Sequence, residues 1–314
     1  MKTITISSFF NDSYIGGDYN CYIQNIVLNF LNENFPYYEF KYVNCLEKYA
    51  DVIFYKWDNL DICKDPNEMF SKPLGHPIFI YYRWSEHNSY PMPNNWGVDC
   101  LKIFTNNYQN YSVTMNADSE KNLYYPLVNF ETIYNAIEKR QQYKFDFKQL
   151  KFASWVSSND VYLRKRVINY ISKNYSKIDY YGLVTDEWDN PDFGWQYYDK
   201  FIHKYKFNFA VENTFTKNSV KYITEKIEHA YVYNSVPIYK GCSNITDYFN
   251  ENSFININDM SEDEAIKKID IINNNEELYK EMFYAYPFKD KNINYSKIFE
   301  DRFVNFLKKI FNNI

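Results

Sequence analysis

Long apolar runs are missing from this chain of 314 residues. Nothing approaches the ~18 consecutive apolar residues that a membrane helix needs, so no integral membrane segment is expected. The opening MKTITISSFFNDS has one Lys but lacks the apolar core of about 7–15 residues that marks a secretory signal. A cytoplasmic location is the expectation. Patterned cysteine is missing too: Cys21, Cys45, Cys63, Cys100 and Cys242 show no Cys-x-x-Cys spacing. That argues against a zinc site or a disulfide framework and for reduced thiols. The four histidines (His76, His87, His203 and His229) are dispersed, so no metal-ligand set is visible. Nor is there an excess of positive charge. The net charge is −5 and Lys and Arg are scattered among acids, which leaves no basic footprint for nucleic acid and no polybasic membrane patch.

Apolar residues are plentiful at 46%, enough for a chain of this length to fill two cores of ordinary size. The aromatic share of 21% accompanies many Asn, Lys and Ile, as an A- and T-rich genome produces, so a lone Tyr is no evidence of a sugar platform. Residues 1 to about 135 read as alternating strand and helix. Strands are expected at Thr3 to Phe9, Asp51 to Tyr55, Pro77 to Tyr82 and Leu101 to Phe104. A Gly16-Gly17 turn precedes a helix with Ile23, Ile26, Val27, Phe30 and Leu31 on one face. The polar run EKRQQYKFDFK from Glu138 to Lys148 reads as a linker. A second alternating series starts with a strand at Lys151 to Val156, a helix from about Asp160 and a strand near Ile178 to Tyr181. Ser261-x-x-Glu264 reads as a capping box. From Ser296 onward, Phe299, Phe303, Phe306, Leu307 and Ile310 mark an amphipathic helix that must pack on something.

The densest information lies between Phe207 and Asp259. Phe207 to Val211 reads as a strand ending at Glu212-Asn213. A helix is expected from about Ser219, with Val220, Ile223, Ile227, Ala230 and Tyr231 on one face. Val236 to Tyr239 and Phe254 to Ile257 read as short strands. A strand, loop and helix N-terminus in this order offer an anion unpaired N–H groups and the positive end of the helix dipole. Glu225 and Lys226 fall in the early turns of that helix. In outline this is a nucleotide-sugar site.

The segment resembles the donor signature of the alpha-1,3/1,4-fucosyltransferases, glycosyltransferase family 10. The matching elements are Val211-Glu212-Asn213-Thr214, Tyr222-Ile223-Thr224-Glu225-Lys226, Ala230, Val236-Pro237-Ile238-Tyr239, Gly241 and Ser253-Phe254-Ile255-Asn256-Ile257. Order and spacing are kept over the whole segment, with Val211 and Thr214 departing from the family's Phe and Ser. The resemblance, to the soluble bacterial or viral type, implies an α/β fold of the GT-B kind, two doubly wound domains facing across a cleft. It implies an acceptor domain at 1–140, a donor domain at 150–290 and a C-terminal amphipathic helix at 291–314.

It also implies site roles. Lys226 would pair with the diphosphate of GDP-fucose, and Glu225 would accept from sugar hydroxyls or offset oxocarbenium charge. Arg164, early in the helix after Ser157-Ser158-Asn159-Asp160, would grip the diphosphate bidentately, with Arg166 the competitor. Glu212, Asn213 and Tyr222 would line the donor pocket. Glu86, in Tyr81-Tyr82-Arg83-Trp84-Ser85-Glu86-His87, is the candidate general base for inverting transfer, with His87 its rival. Pro91 stands one residue later than the family pattern. No Asp-x-Asp pair occurs, so no metal or other cofactor is expected to be required, although non-essential Mn²⁺ stimulation would be compatible. The partners implied are GDP-fucose and a glycan acceptor. Two other readings stay open: a different GDP- or dTDP-deoxysugar donor, and a non-catalytic sugar-binding module. Oligomeric state is not legible.

Overall fold

The computed structural model describes residues 2–9, 28–42, 50–56, 78–82, 110–114, 118–157, 162–182, 200–213 and 222–312. The chain divides into two compact units, one of residues 1–125 with 299–314 and one of residues 126–298.

Among the described residues, the first unit holds a six-stranded, wholly parallel sheet in the order β2-β1-β3-β4-β5-β6. Its strands are β1 (Lys2–Phe9), β2 (Tyr38–Tyr42), β3 (Val52–Lys56), β4 (Ile78–Tyr82), β5 (Asn110–Thr114) and β6 (Asn122–Tyr124). Ile4, Ile6, Phe40, Val52 and Val113 lie in one core with Leu31 and Phe35; in β1 the inward residues alternate with Thr, the period of two of a strand. The expected strand at Leu101 to Phe104 and the Gly16-Gly17 turn lie outside the described residues. The C-terminal helix finds its partner here. From Phe299 on it belongs to this unit, burying Val304, Phe306, Leu307, Ile310 and Phe311 in the same core. The Phe311 ring meets Phe35 and Phe40 at 5.1 and 5.4 Å. The helix expected over 291–314 is therefore not a third body: residues 299–314 close the first unit, while 291–298 stay with the second.

Among the described residues, the second unit holds a five-stranded parallel sheet, order β11-β10-β9-β7-β8. Its strands are β7 (Lys151–Val156), β8 (Ile178–Tyr181), β9 (Tyr205–Val211), β10 (Val236–Lys240) and β11 (Ile255–Asn256). Its helices are α1 (Phe130–Gln142), α2 (Tyr162–Asn174), α3 (Glu225–Val232), α4 (Glu262–Asn273) and α5 (Glu276–Tyr284), and α6 (Tyr295–Phe311) leads out of it into the first unit. Phe207, Phe209, Val211, Val236, Ile238, Ala153 and Trp155 form the core with Val167, Ile168 and Ile171 of α2. The polar intruder, Asn208, is satisfied by Ser154, Nδ2 to Oγ 2.9 Å. The capping box at Ser261 is present, with its side chain and that of Glu264 each meeting the other's backbone N–H.

The run from Glu138 to Lys148 is not a linker, and the boundary falls at Tyr125/Pro126 instead. Its charges hide a packed pattern. α1 extends to Gln142, and Tyr143, Phe145 and Phe147 pack on the core in alternation. Arg140 is buried at 1% exposure. Its Nε donates to Phe283 O (3.0 Å) and its Nη1 to Tyr231 O (3.3 Å), while the guanidinium lies 3.9 Å from the Phe283 ring centre.

Because every strand is parallel, the carboxyl ends of β7, β9, β10 and β11 fall on one side of the sheet, where open α/β sheets hold ligands. Among the described residues, no helix is long and apolar enough to cross a membrane.

Candidate functional site

Glu212 leaves the end of β9 with no exposed surface. It is placed there by its backbone N–H, which donates to Lys240 O at 2.8 Å, and by the absence of a side chain at Gly241. A Cβ at Gly241 would lie 2.4 Å from Glu212 Cγ and 2.7 Å from the Tyr239 hydroxyl oxygen. That close approach is the physical reason for glycine at this position of the motif. Asn258 secures the same turn: its Oδ1 accepts from Gly241 N (2.8 Å) and its Nδ2 donates to Cys242 O (2.8 Å).

Thr224 stands directly over Glu212. Its backbone N–H donates to Glu212 Oε1 at 2.9 Å and its hydroxyl to Oε2 at 2.7 Å. These bonds hold Thr224 in an extended conformation (φ −124°, ψ −176°), so α3 begins only at Glu225. Sequence spacing places the start near Ser219, since Val220 and Ile223 continue the helical period. Residues 214–221 lie outside the described residues, and 222–224 are not helical. Thr224 is the N-cap by position, yet its side chain makes no capping bond. Having been drawn to Glu212, its hydroxyl leaves the first-turn N–H groups to other acceptors.

Glu225 and Lys226 thus occupy the first turn of α3. Lys226 Nζ donates to Thr224 Oγ1 at 3.0 Å and lies 3.4 Å from both Glu212 Oε2 and Glu225 Oε1. Burial pushes the Glu212 carboxyl above the usual carboxylate range even with Lys226 beside it. At Glu225 burial also acts upward, but Lys226, its own backbone N–H and His229 together bring the carboxyl below that range. Lys226, with 14% of its side chain exposed, is an ammonium fixed at a helix N-terminus, suited to meet an anion.

Asn213 follows Glu212 and is 2% exposed. Its Oδ1 is buried and has no hydrogen-bond donor among the described residues. Tyr222 is buried at 6%. One strand over, Arg164 comes from the first turn of α2 and is 2% exposed. Its Nη2 donates to Ser157 Oγ at 2.8 Å and its guanidinium is 5.8 Å from the Trp155 ring. Ser157 is fixed in turn by Gly182, whose φ is +125° and whose Cβ, if present, would lie 1.9 Å from Ser157 O. Arg166, the competing candidate, is half-exposed and faces Glu262 at 3.3 Å.

The structure therefore gathers Glu212, Glu225 and Lys226 into one cluster, with Asn213 next to Glu212 after β9 and Arg164, in the first turn of α2, bonded to Ser157 just past the neighbouring β7. Glu86 and His87 lie outside the described residues. The described residues contain no group of three or more His, Cys, Asp or Glu that could hold a metal ion. Sequence reading missed Thr224, Ser157 and Asn258 as supports; small hydroxyl and amide residues beside motif glycines and acids are the only signal that could have found them. It also missed the next turn of α3. Glu228, 9% exposed, accepts from Asn129 N at 2.8 Å. Burial raises its carboxyl to about 7 and lowers the adjacent His229 imidazole to about 4.

Residues 147–298 match the family model of the glycosyltransferase family 10 (fucosyltransferase) C-terminal region. Over 90 residues the chain is 38% identical to an alpha-(1,3)-fucosyltransferase of Helicobacter pylori, a stretch that covers 28% of this chain and only 18% of that protein. Among solved structures, an alpha1,3-fucosyltransferase with GDP aligns over 98% of this chain and 90% of its own, with TM-score 0.68 and 20% identity. An alpha1,3-fucosyltransferase structure with GDP-fucose gives TM-score 0.64 over 98% and 91%, again at 20% identity. Likeness at that identity shows a shared fold, here the GT-B fold of two Rossmann-like units.

Proposed function

We propose that this chain, which belongs to glycosyltransferase family 10 through residues 147–298, is an inverting fucosyltransferase. It would move L-fucose from GDP-β-L-fucose to a hydroxyl of a GlcNAc- or Glc-containing glycan in α-1,3 linkage. The observation that carries the reading is the head of α3, where Lys226 is held by Glu212, Thr224 and Glu225. Beside it the buried Asn213 Oδ1 has no donor among the described residues.

In this reaction the acceptor oxygen attacks the anomeric carbon of fucose from the face opposite the nucleotide. The bond from that carbon to the β-phosphate oxygen breaks, and GDP leaves with the electron pair. Lys226 and Arg164 meet the charge that grows on the leaving phosphate, worth most in a site closed to water. Glu225 offsets positive charge on the sugar ring. Asn213 and Tyr222 take the nucleoside, and Glu212, with both oxygens engaged by Thr224 and Lys226, supports them from behind. The acceptor proton passes to a carboxylate, for which Glu86 is the proposed base. No metal ion is required because the two cations do its work, so transfer survives EDTA.

Transfer and GDP release measured with GDP-fucose, with and without a lactosamine acceptor, test the proposal. Binding without turnover would indicate a sugar-binding module, and preference for a dTDP-sugar a different donor. Glu86→Gln is expected to lower kcat by an amount on the order of 10²–10⁴ and leave GDP affinity near wild type. A fully active Glu86→Gln enzyme would move the role to His87.

A further inference from the structure

α3 is eight residues long, too short to be stable on its own terms, and its N-cap side chain does not cap it. Its head must therefore be held from outside. Glu212 holds it from below through Thr224. A second tie comes from residues 126–129, the stretch with which the chain enters the second unit. Leu127 N donates to Ile223 O at 3.0 Å, and Asn129 N donates to Glu228 Oε2 at 2.8 Å. Asn129 is itself anchored, since its Oδ1 accepts from Thr132 N at 3.2 Å as the N-cap of α1. The next residue, Phe130, is 3% exposed and stacks on Tyr295 and Phe249 at 5.6 and 6.1 Å.

We infer that Glu228 is a positioning residue of the donor site: by accepting from Asn129 N it fixes the head of α3, and with it Glu225 and Lys226, against residues 126–129. This rests on the donor reading proposed above. Glu228 follows Glu225 by three residues, so the two share a face of α3 and a shift of one is passed to the other. A helix carboxylate normally faces water, and burying one is costly unless it is bonded. Glu228 is buried in the middle of α3, and its bond reaches 99 residues back along the chain. Glu225 is the charged neighbour that acts on it, pressing its carboxyl upward after burial has done so, while the Asn129 N–H pulls downward.

The full chain with Glu228→Ala and Glu228→Gln tests this, with two readouts: GDP affinity by calorimetry and amide exchange over 126–129 and 222–232. Glu228→Ala is expected to weaken GDP about tenfold, the loss of one charge-assisted bond, and to speed exchange in both segments. Glu228→Gln, which keeps an acceptor for Asn129 N, should bring both back to within about threefold of wild type. The inference is overturned if Glu228→Ala binds GDP as wild type does, or if exchange in the two segments does not change. Should the wild type bind no GDP while Glu228→Ala still loosens both segments, the donor reading fails and the tie itself stands. If Glu228→Ala does not fold, Glu228→Asp, one methylene short of Asn129, must show the same paired losses or the inference fails.

Discussion

At the head of α3 the cation Lys226 lies among carboxylates, Glu212 and Glu225. At its tail the Arg140 guanidinium lies among carbonyls and ring faces, bonded to Tyr231 O and Phe283 O and stacked on Phe283. The tail carbonyls close α3 and α5, where helix dipoles present partial negative charge. Burial lowers the Arg140 guanidinium to about 10, so it stays charged throughout the ordinary pH range. The difference separates two uses of a buried cation. Carbonyls and rings cannot titrate or be exchanged for a ligand, so Arg140 is a fixed fastener. Carboxylates can titrate and can yield a cation to a competing anion, so Lys226 is free to change partners.

The largest effect should come from removing the fastener. Arg140→Met is expected to cost about 3–5 kcal/mol, because Phe283 O loses the Arg140 donor inside the core, Tyr231 O keeps a long bond from Asn234 N (3.4 Å), and the cation–ring contact on Phe283 is lost. Denaturant unfolding measures it, and below the transition the folded variant should bind GDP within about twofold of wild type. Equal losses of stability and intrinsic affinity would erase the distinction between the two ends.

The next prediction concerns pH. Glu228, raised to about 7 from 4.5, binds its proton more tightly when folded, so it removes stability as pH rises through 4.5–7. His229, lowered to about 4 from 6.5, binds its proton less tightly when folded, so it adds stability as pH rises through 4–6.5. Each amounts to roughly 3 kcal/mol and the signs oppose, so the wild type should show little slope from this pair. Glu228→Gln should expose a stability that rises between pH 4 and 6.5, and His229→Asn one that falls between pH 4.5 and 7. Parallel slopes in the two variants would refute the compensation.

Lys226→Ala sharpens the comparison from the other side. Loss of a charge-assisted contact to the diphosphate should weaken GDP-fucose ten- to a hundredfold, about 1.5–3 kcal/mol. Wild-type affinity in a calorimetric titration would end the helix-head account of the donor site. The smallest effect is expected of Gly241→Ala, whose methyl must push Glu212 aside at about 1–3 kcal/mol. It should lower stability and GDP affinity together, since Glu212 supports both Thr224 and Lys226, and an unchanged affinity would show that Glu212 is not a support.

Much of this was legible in the sequence wherever a signal is local. Apolar runs gave the strands Val52–Lys56, Ile78–Tyr82, Lys151–Val156 and Val236–Lys240 to within a residue or two, and Ser261 announced its capping box. Failures came where a distant residue decides. The start of α3 depends on Glu212 reaching Thr224, which periodicity does not register. Arg140 looked like part of a polar linker because its partners, Tyr231 and Phe283, lie 91 and 143 residues away. The face of α6 was plain, but which core it would fill was not. In the site, Glu225 and Lys226 were marked by motif, whereas Glu228 was an ordinary helix acid until Asn129 was brought to it.

The route of α6 bears on how the protein is made. The second unit is one continuous stretch, 126–298, and takes nothing from the residues that follow it. The first unit is not: its core takes Val304, Phe306, Leu307, Ile310 and Phe311 from residues that follow the whole of the second unit. Residues 1–125 must therefore wait, with apolar strand faces uncovered, until residues 299–314 have been made. The second unit can then close before the first, opposite to the usual N-terminal-first sequence of multidomain chains. It follows that residues 1–125 expressed alone would be prone to aggregate, and that adding 299–314 in trans is the rational way to rescue them.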